Sequence, residues 1–283
     1  MLDGMRLVDA HVHVPLLGTL KRAWVTWAED FGVDGILPEV WDSDGRPRPD
    51  RLAELFAAQG VDTALLFCEY SPKATGMQEF EDLLPLVDHD PARFRPVANV
   101  NPHLDFPIAA EVRRRQLGLA AAALKLHPVH GGFRCDDAAL YPAYHVLEES
   151  GVPLVVHCGT SSFPGSSNEY ADPAFLIPVI RDFPGLDVVL AHGGRGWWYD
   201  AAAFLAPAHD TVWIELSGLP PKRLPEYYRN FDLARLAKRW IFGTDWPGVP
   251  GTAANARAVA ALVPDLAADV LGGNAARVHA GLR

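Results

Sequence analysis

A (β/α)8 barrel, an α/β TIM-barrel fold in one domain, is what this sequence predicts, and three observations carry it. Short, nearly continuous apolar runs alternate with longer amphipathic segments eight times along 283 residues. Roughly 250 residues is the usual size of such a barrel. The apolar runs lack in–out alternation, as expected of parallel strands covered on both faces. Polar residues gather at their C-terminal ends, where a barrel has its mouth. A doubly wound open sheet is the competing architecture, but no GxGxxG follows the first run to support it.

The elements follow in order. The first strand is read at 6–14, "RLVDAHVHV". An insertion, 15–48, separates it from its helix. Within it "GTLKRAWVTWAEDFG" reads as an extra helix with Trp24 and Trp27 on neighbouring turns, and "DSDGRPRPD" as a surface loop. "DRLAELFAAQG" is a helix with an Asp cap, ending at Gly60. Strands follow at 62–70, 94–101 and 121–128. "DDAALYPAYHVLEESG" is a helix from Asp136 or Asp137 to Gly151, and the fifth strand is 153–159. A second insertion occupies 160–172. The helix "DPAFLIPVIRDFPG" opens on Pro173 and breaks at Pro184, with Pro178 set to kink or divide it. The last strands are 187–194, 212–218 and 240–247. Both insertions fall on the C-terminal face, where long loops are often functional. No repeat, low-complexity tract or linker divides residues 1–283.

Composition narrows the partners. A formal net charge of −10 argues against nucleic acid or an anionic membrane. No apolar stretch reaches the roughly 18–20 residues that span a bilayer. The N-terminus lacks a basic region followed by an apolar core, so no signal peptide is expected. Cys68, Cys135 and Cys158 are few, odd in number and not in a CxxC arrangement. They read as the reduced thiols of a cytoplasmic protein. A small molecule is the expected partner.

The chemistry starts at "DAHVH". In a strand, His11 and His13 share a face. Two buried imidazoles side by side suggest a shared partner, and a metal ion is the obvious candidate. Further polar residues end the later strands: Glu69, Asn101, Lys125 with His127, His157, His192, Ser217 and Asp245. Packing alone explains such a set poorly, because buried polar groups are costly unless satisfied.

The motifs "DAHVHV", "VVHCG", "LAHGG" and "FGTDWP" resemble the amidohydrolase superfamily, most closely the branch containing aminocarboxymuconate semialdehyde decarboxylase. The resemblance extends to the closing "GGNAARVHAGL". It implies one divalent metal held by His11, His13, His157 and Asp245. Zinc is the first expectation, with manganese or iron open. It further implies His192 as a base or electrostatic partner and Asp245 as a proton shuttle. Glu69, Asn101, His127 and Ser217 are read as supporting residues. Lys125 occupies the strand on which some superfamily members carry a carboxylated, metal-bridging lysine. Steering of an anionic substrate, or a buried ion pair, is the preferred role here. Arg195 suits a substrate carboxylate. Trp246 adjoins Asp245 as a candidate pocket wall, and Trp24 and Trp27 could form a lid or the contact of a homo-oligomer. The leading expectation is a hydrolase of an ester, lactone or amide of a small carboxylated molecule, using metal-activated water. The alternative is a non-oxidative decarboxylase of a small unsaturated or aromatic acid. A non-catalytic metal-binding protein is the third reading.

Overall fold

Each apolar run becomes a strand, and the eight strands pair in chain order, all parallel. The structure, a computed structural model, describes residues 1–32, 35–279 and 281–282, without the side chains of residues 116 and 117. Two positions of the 15–48 insertion (33 and 34) and residue 280 of the closing motif therefore lie outside the described residues. The strands are β1 (Val8–His13), β2 (Thr63–Phe67), β3 (Phe94–Asn99) and β4 (Ala123–Leu126). They continue as β5 (Leu154–Gly159), β6 (Val188–Arg195), β7 (Val212–Glu215) and β8 (Trp240–Ile241). A small antiparallel ribbon, Tyr70–Ser71 against Gly76–Met77, follows β2.

Parity along the strands decides what enters the barrel. Leu65, Phe67, Val97, Ala123, Val155, Val189, Ala191, Trp213 and Ile241 form the inner cluster. Their even-numbered neighbours, such as Leu66, Leu124, Val156 and Leu190, pack outward with helix residues including Phe56, Tyr144 and Val259. This period-two division is the pleat of a strand buried on both faces. β1 starts out of step, with Val8 and Ala10 inside. A register shift between Asp9 and Val12 corrects it. Such an irregularity re-aims the side chains that follow. His11 and His13 then line the barrel's mouth, as the HxH spacing predicts.

β1 and β8 close the barrel. Ala10 N donates to Phe242 O at 3.1 Å, Asp245 N to His11 O at 3.0 Å and His13 N to Trp246 O at 2.8 Å. The eighth strand is shorter than the expected 240–247: its ladder covers only Trp240–Ile241. The cause is local. The Asp9 carboxylate takes Thr244 N at 2.9 Å, and Asp245 turns into a left-handed conformation at φ 74°.

The helices depart from expectation only at their ends. The first barrel helix is Pro49–Ala58, with Arg48 at the cap and Asp50 in the first turn rather than as the cap. Asp137 caps its segment by accepting Ala139 N at 2.9 Å, and Gly151 ends that helix at φ 65°. Pro178 divides its segment: a 3-10 turn, Pro173–Leu176, precedes the α-helix Ile177–Asp182. The extra helix of the first insertion is Arg22–Phe31. Trp24 is buried there and donates through Nε1 to Glu69 Oε1 at 2.9 Å. Cys68, Cys135 and Cys158 are buried free thiols.

Candidate active site

The strand ends surround a cavity of about 340 Å³, within the range of small-molecule sites, roughly 300–1,000 Å³. His11, His13, His157, His192, Lys125, Arg195 and Asp245 all line it. His11, His192 and Asp245 each offer a donor atom, and those atoms lie within 4.8 Å of one another.

Hydrogen bonds set the imidazoles' tautomers. His11 Nδ1 lies 2.5 Å from Glu215 Oε2, so it donates and leaves Nε2 with the lone pair. That Nε2 is 3.9 Å from Asp245 Oδ1. Glu215 is itself fixed, since its Oε1 accepts Ser217 N at 2.8 Å. Gly243 makes room for the pair: a Cβ there would stand 2.7 Å from Glu215 Oε1. His192 Nδ1 donates to Ser217 O at 3.0 Å, which leaves its Nε2 unprotonated. An imidazole held at its far nitrogen beside an anionic oxygen, as His11 is, fits a divalent ion; in His192 it is Nδ1, the nitrogen bonded to Ser217 O, that lies 3.9 Å from Asp245 Oδ2.

His192 and Asp245 share a second property. Both have left-handed backbone, at φ 66° and 74°. For side chains other than glycine that conformation is strained, and such strain concentrates at functional sites. Strand parity would point His192 outward beside Leu190; the left-handed turn brings it to the cavity instead.

His13 borders the donor group, with Nε2 3.4 Å from Asp245 Oδ1 and Nδ1 2.9 Å from Glu69 Oε1. The Nδ1 contact is an ion pair outside hydrogen-bonding geometry. Burial disfavours the imidazolium, but Glu69 and Asp245 outweigh it and lift His13 to about 9. Burial likewise opposes the Glu69 carboxylate, and His13 and the Thr75 hydroxyl bring it down to about 2. For Asp245, burial is again outweighed, here by the hydrogen bond to His13 and the charges of His11, His13 and Arg195. Its carboxyl stays well below the usual range and is anionic.

The remaining expected residues divide. His157 stands beside His192, ring centroids 4.4 Å apart, and its Nε2 donates to Gly159 O at 3.0 Å, leaving Nδ1 with the lone pair, but it is outside the three-donor group. Lys125 is fully buried, with Nζ 5.3 Å from the Phe67 ring centre and, among the described residues, no hydrogen-bond partner. Burial pushes its pKa down, against the opposing pull of Glu215 and Asp245. Arg195 is partly exposed; its Nη1 lies 3.7 Å from Asp245 Oδ2 and its Nη2 donates to Thr160 O at 3.2 Å. Gly218 makes this seat possible, because a Cβ there would stand 2.3 Å from Arg195 Nη1. Trp246 packs into the outer core instead of lining the cavity, stacked on Trp41 at 5.7 Å and edge-on to Phe56 at 5.5 Å. The pleat explains it, for residue 246 has the outward parity that residue 245 lacks.

Sequence reasoning passed over Glu215, His130 and Ser161. An acid inside the apolar run "VWIELSG" was the available signal for Glu215. His130 and Ser161 had none, since one lies in the short helix Pro128–Gly131 and the other in a loop, both beyond the strand ends. Glu215→Gln is expected to weaken metal binding by about 10–100-fold, the usual effect of losing a ligand's orienting partner. Its amide cannot accept from both His11 and Ser217 as the carboxylate does. Chelator competition measures this, and unchanged affinity would remove the orienting role.

Known proteins place the chain. In the curated dihydroorotase of Vibrio atlanticus, 112 residues match at 33% identity, covering 36% of this chain and 31% of that one. The chain thus spans only a fraction of that relative's length. An uncharacterised TIM-barrel protein from Bordetella bronchiseptica superposes with a TM-score of 0.77 at 23% identity, covering 97% of this chain and 98% of that one. The 5-carboxyvanillate decarboxylase of Sphingomonas paucimobilis gives 0.67 at 20% identity, over 97% and 99%. A dihydroxybenzoic acid decarboxylase from a Polaromonas species, with bound manganese, gives 0.69 at 16%, over 97% and 96%. At these identities the structural likeness concerns the fold. The amidohydrolase family model matches residues 8–279, nearly the whole chain, and the chain belongs to that family.

Proposed function

We propose that this protein is a metal-dependent, non-oxidative decarboxylase of a small hydroxylated aromatic or unsaturated acid. The character of the cavity carries this reading. Its lining includes the aromatic side chains Trp24, Trp27, Phe31 and Phe163, and Arg195 supplies a partly exposed guanidinium. An apolar wall favours a carboxylate leaving as neutral carbon dioxide, since it solvates the charge poorly. The decarboxylases among the similar structures support the same choice over hydrolysis.

His11, His192 and Asp245 would hold the ion, with His13 at its edge. Zinc suits the donors, and the Polaromonas neighbour carries manganese. When bound, the ion supplies a positive centre that orients the acid and stabilises developing negative charge. Arg195 attracts and orients the anionic substrate. Asp245, anionic at rest, takes the proton of a substrate hydroxyl and passes it to the ring carbon that bears the carboxylate. The carbon–carbon bond then breaks, its electron pair returns to the ring, and carbon dioxide leaves. A solvent proton restores the hydroxyl.

The test is turnover of hydroxybenzoic acids by metal-loaded protein in deuterium oxide. Carbon dioxide release with deuterium on the vacated carbon is expected. Hydrolysis remains the second reading, favoured by the dihydroorotase match. Acid release from esters, lactones or amides, with solvent oxygen in the product and no carbon dioxide, would overturn the proposal in its favour.

A further inference from the structure

We propose that His127 presents a fixed N–H donor to the cavity and forms a recognition subsite for an uncharged oxygen, a hydroxyl or keto group, on the bound acid. The inference rests on the reading of the ligand as a small acid. It concerns a part of that ligand held by neither the donor group nor Arg195.

His127 is the first residue beyond β4 and caps the short helix Pro128–Gly131. Its Nδ1 accepts the backbone N–H of His130 at 3.3 Å. A nitrogen that accepts carries the lone pair, so the ring's proton is on Nε2. Two imidazoles stack on the ring, His130 at 3.6 Å and 11° and His157 at 4.1 Å and 21°. His130 is itself pinned, with Nε2 2.7 Å from Ser161 Oγ and Phe163 edge-on at 5.5 Å. Asn168 straps Ser161 in turn, accepting its N–H at 2.7 Å and donating to its carbonyl at 3.1 Å. His157 is held through Gly159 O. The His127 ring therefore cannot turn without breaking its neighbours' bonds. Nε2 alone is uncommitted: among the described residues it has no hydrogen-bond partner. His127 lines the cavity and is half-buried, so a ligand can reach this donor. Donors held in place by packing and hydrogen bonds bind without an ordering cost.

The probes are benzoate and its 2-, 3- and 4-hydroxy derivatives, titrated calorimetrically into manganese-loaded protein. At least one hydroxy isomer is expected to bind about 3–10-fold tighter than benzoate, the worth of one neutral hydrogen bond. In His127→Phe, which keeps a stacking ring without the N–H, that advantage should vanish while benzoate affinity holds. His127→Gln, whose amide can donate from a similar position, should restore part of it. Nitrogen-15 spectra of histidine-labelled parent protein should show His127 as the Nε2–H tautomer, whether or not the variants fold. An advantage that persists in His127→Phe, or an Nδ1–H tautomer, would overturn the subsite. Failure of all four acids to bind overturns the aromatic-acid reading; an Nε2–H tautomer would then leave the subsite standing.

Discussion

Asp245→Asn is expected to lower turnover by about 10²–10⁴-fold, the usual worth of a general acid–base group. The substitution isolates the chemistry from the fold. Asn matches Asp in shape and also tolerates the left-handed backbone found at φ 74°. The backbone bond from Asp245 N to His11 O is untouched. What disappears is the charge that lies 3.4 Å from His13 Nε2 and 3.7 Å from Arg195 Nη1, and with it the ability to accept a proton. Steady-state kinetics, metal analysis and a melting curve on the same preparation check the expectation. Turnover within about threefold of the parent, at equal metal content, would remove Asp245 from proton transfer, given the 10²–10⁴ expected for such a group.

Asp9→Ala is expected to be the most damaging change outside the cavity lining. The Asp9 carboxylate is fully buried. It accepts Thr244 N at 2.9 Å, Thr244 Oγ1 at 2.7 Å, His11 N at 3.3 Å and Thr252 Oγ1 at 3.4 Å. Alanine leaves these donors buried without an acceptor, and each such loss costs about 1–3 kcal/mol before relaxation. A net destabilisation of about 3–5 kcal/mol follows, at the large end for single substitutions, as expected for one that breaks a buried hydrogen-bond network. At about 2–4 °C per kcal/mol for a chain of this size, the melting temperature should fall by roughly 6–20 °C. Thermal and denaturant unfolding of the two proteins decide it. A loss below about 1 kcal/mol, that of a single ordinary hydrogen bond, would mean that water replaces the carboxylate.

Much of this architecture is legible in the chain because strands covered on both sides leave an apolar signature. All eight were placed that way, and the polar residues that end β1, β2, β4, β5, β6 and β8 reach one cavity, while Asn101 and Ser217 stay outside its lining. His192 was read at the mouth from its strand-end position; what the sequence does not show is the turn that puts it there, since it has outward parity and its left-handed backbone brings it beside His11 and Asp245. Trp246 looked like pocket wall by adjacency to Asp245, but neighbouring residues of an extended segment face opposite ways, and it stacks on Trp41. Glu215 was hidden for another reason. Its role lies in a contact with His11 across the barrel, and nothing local in "VWIELSG" marks that pairing.

The closure between β1 and β8 has a consequence for how the protein is made. His11 comes from the first strand and Asp245 from the end of the last, so the proposed donors meet only when the chain's two extremes meet. During synthesis the first half emerges with one of the three proposed donors, and no fragment that stops before Asp245 can offer the complete group. Contacts between residues so distant in the chain are slow to form, because their loop entropy is lost before they are rewarded. The ion therefore discriminates between states that differ in closure. By mass action it stabilises the completed ring and gives little to partly folded intermediates. If His11, His192 and Asp245 hold the ion as proposed, metal supply and folding yield become coupled quantities.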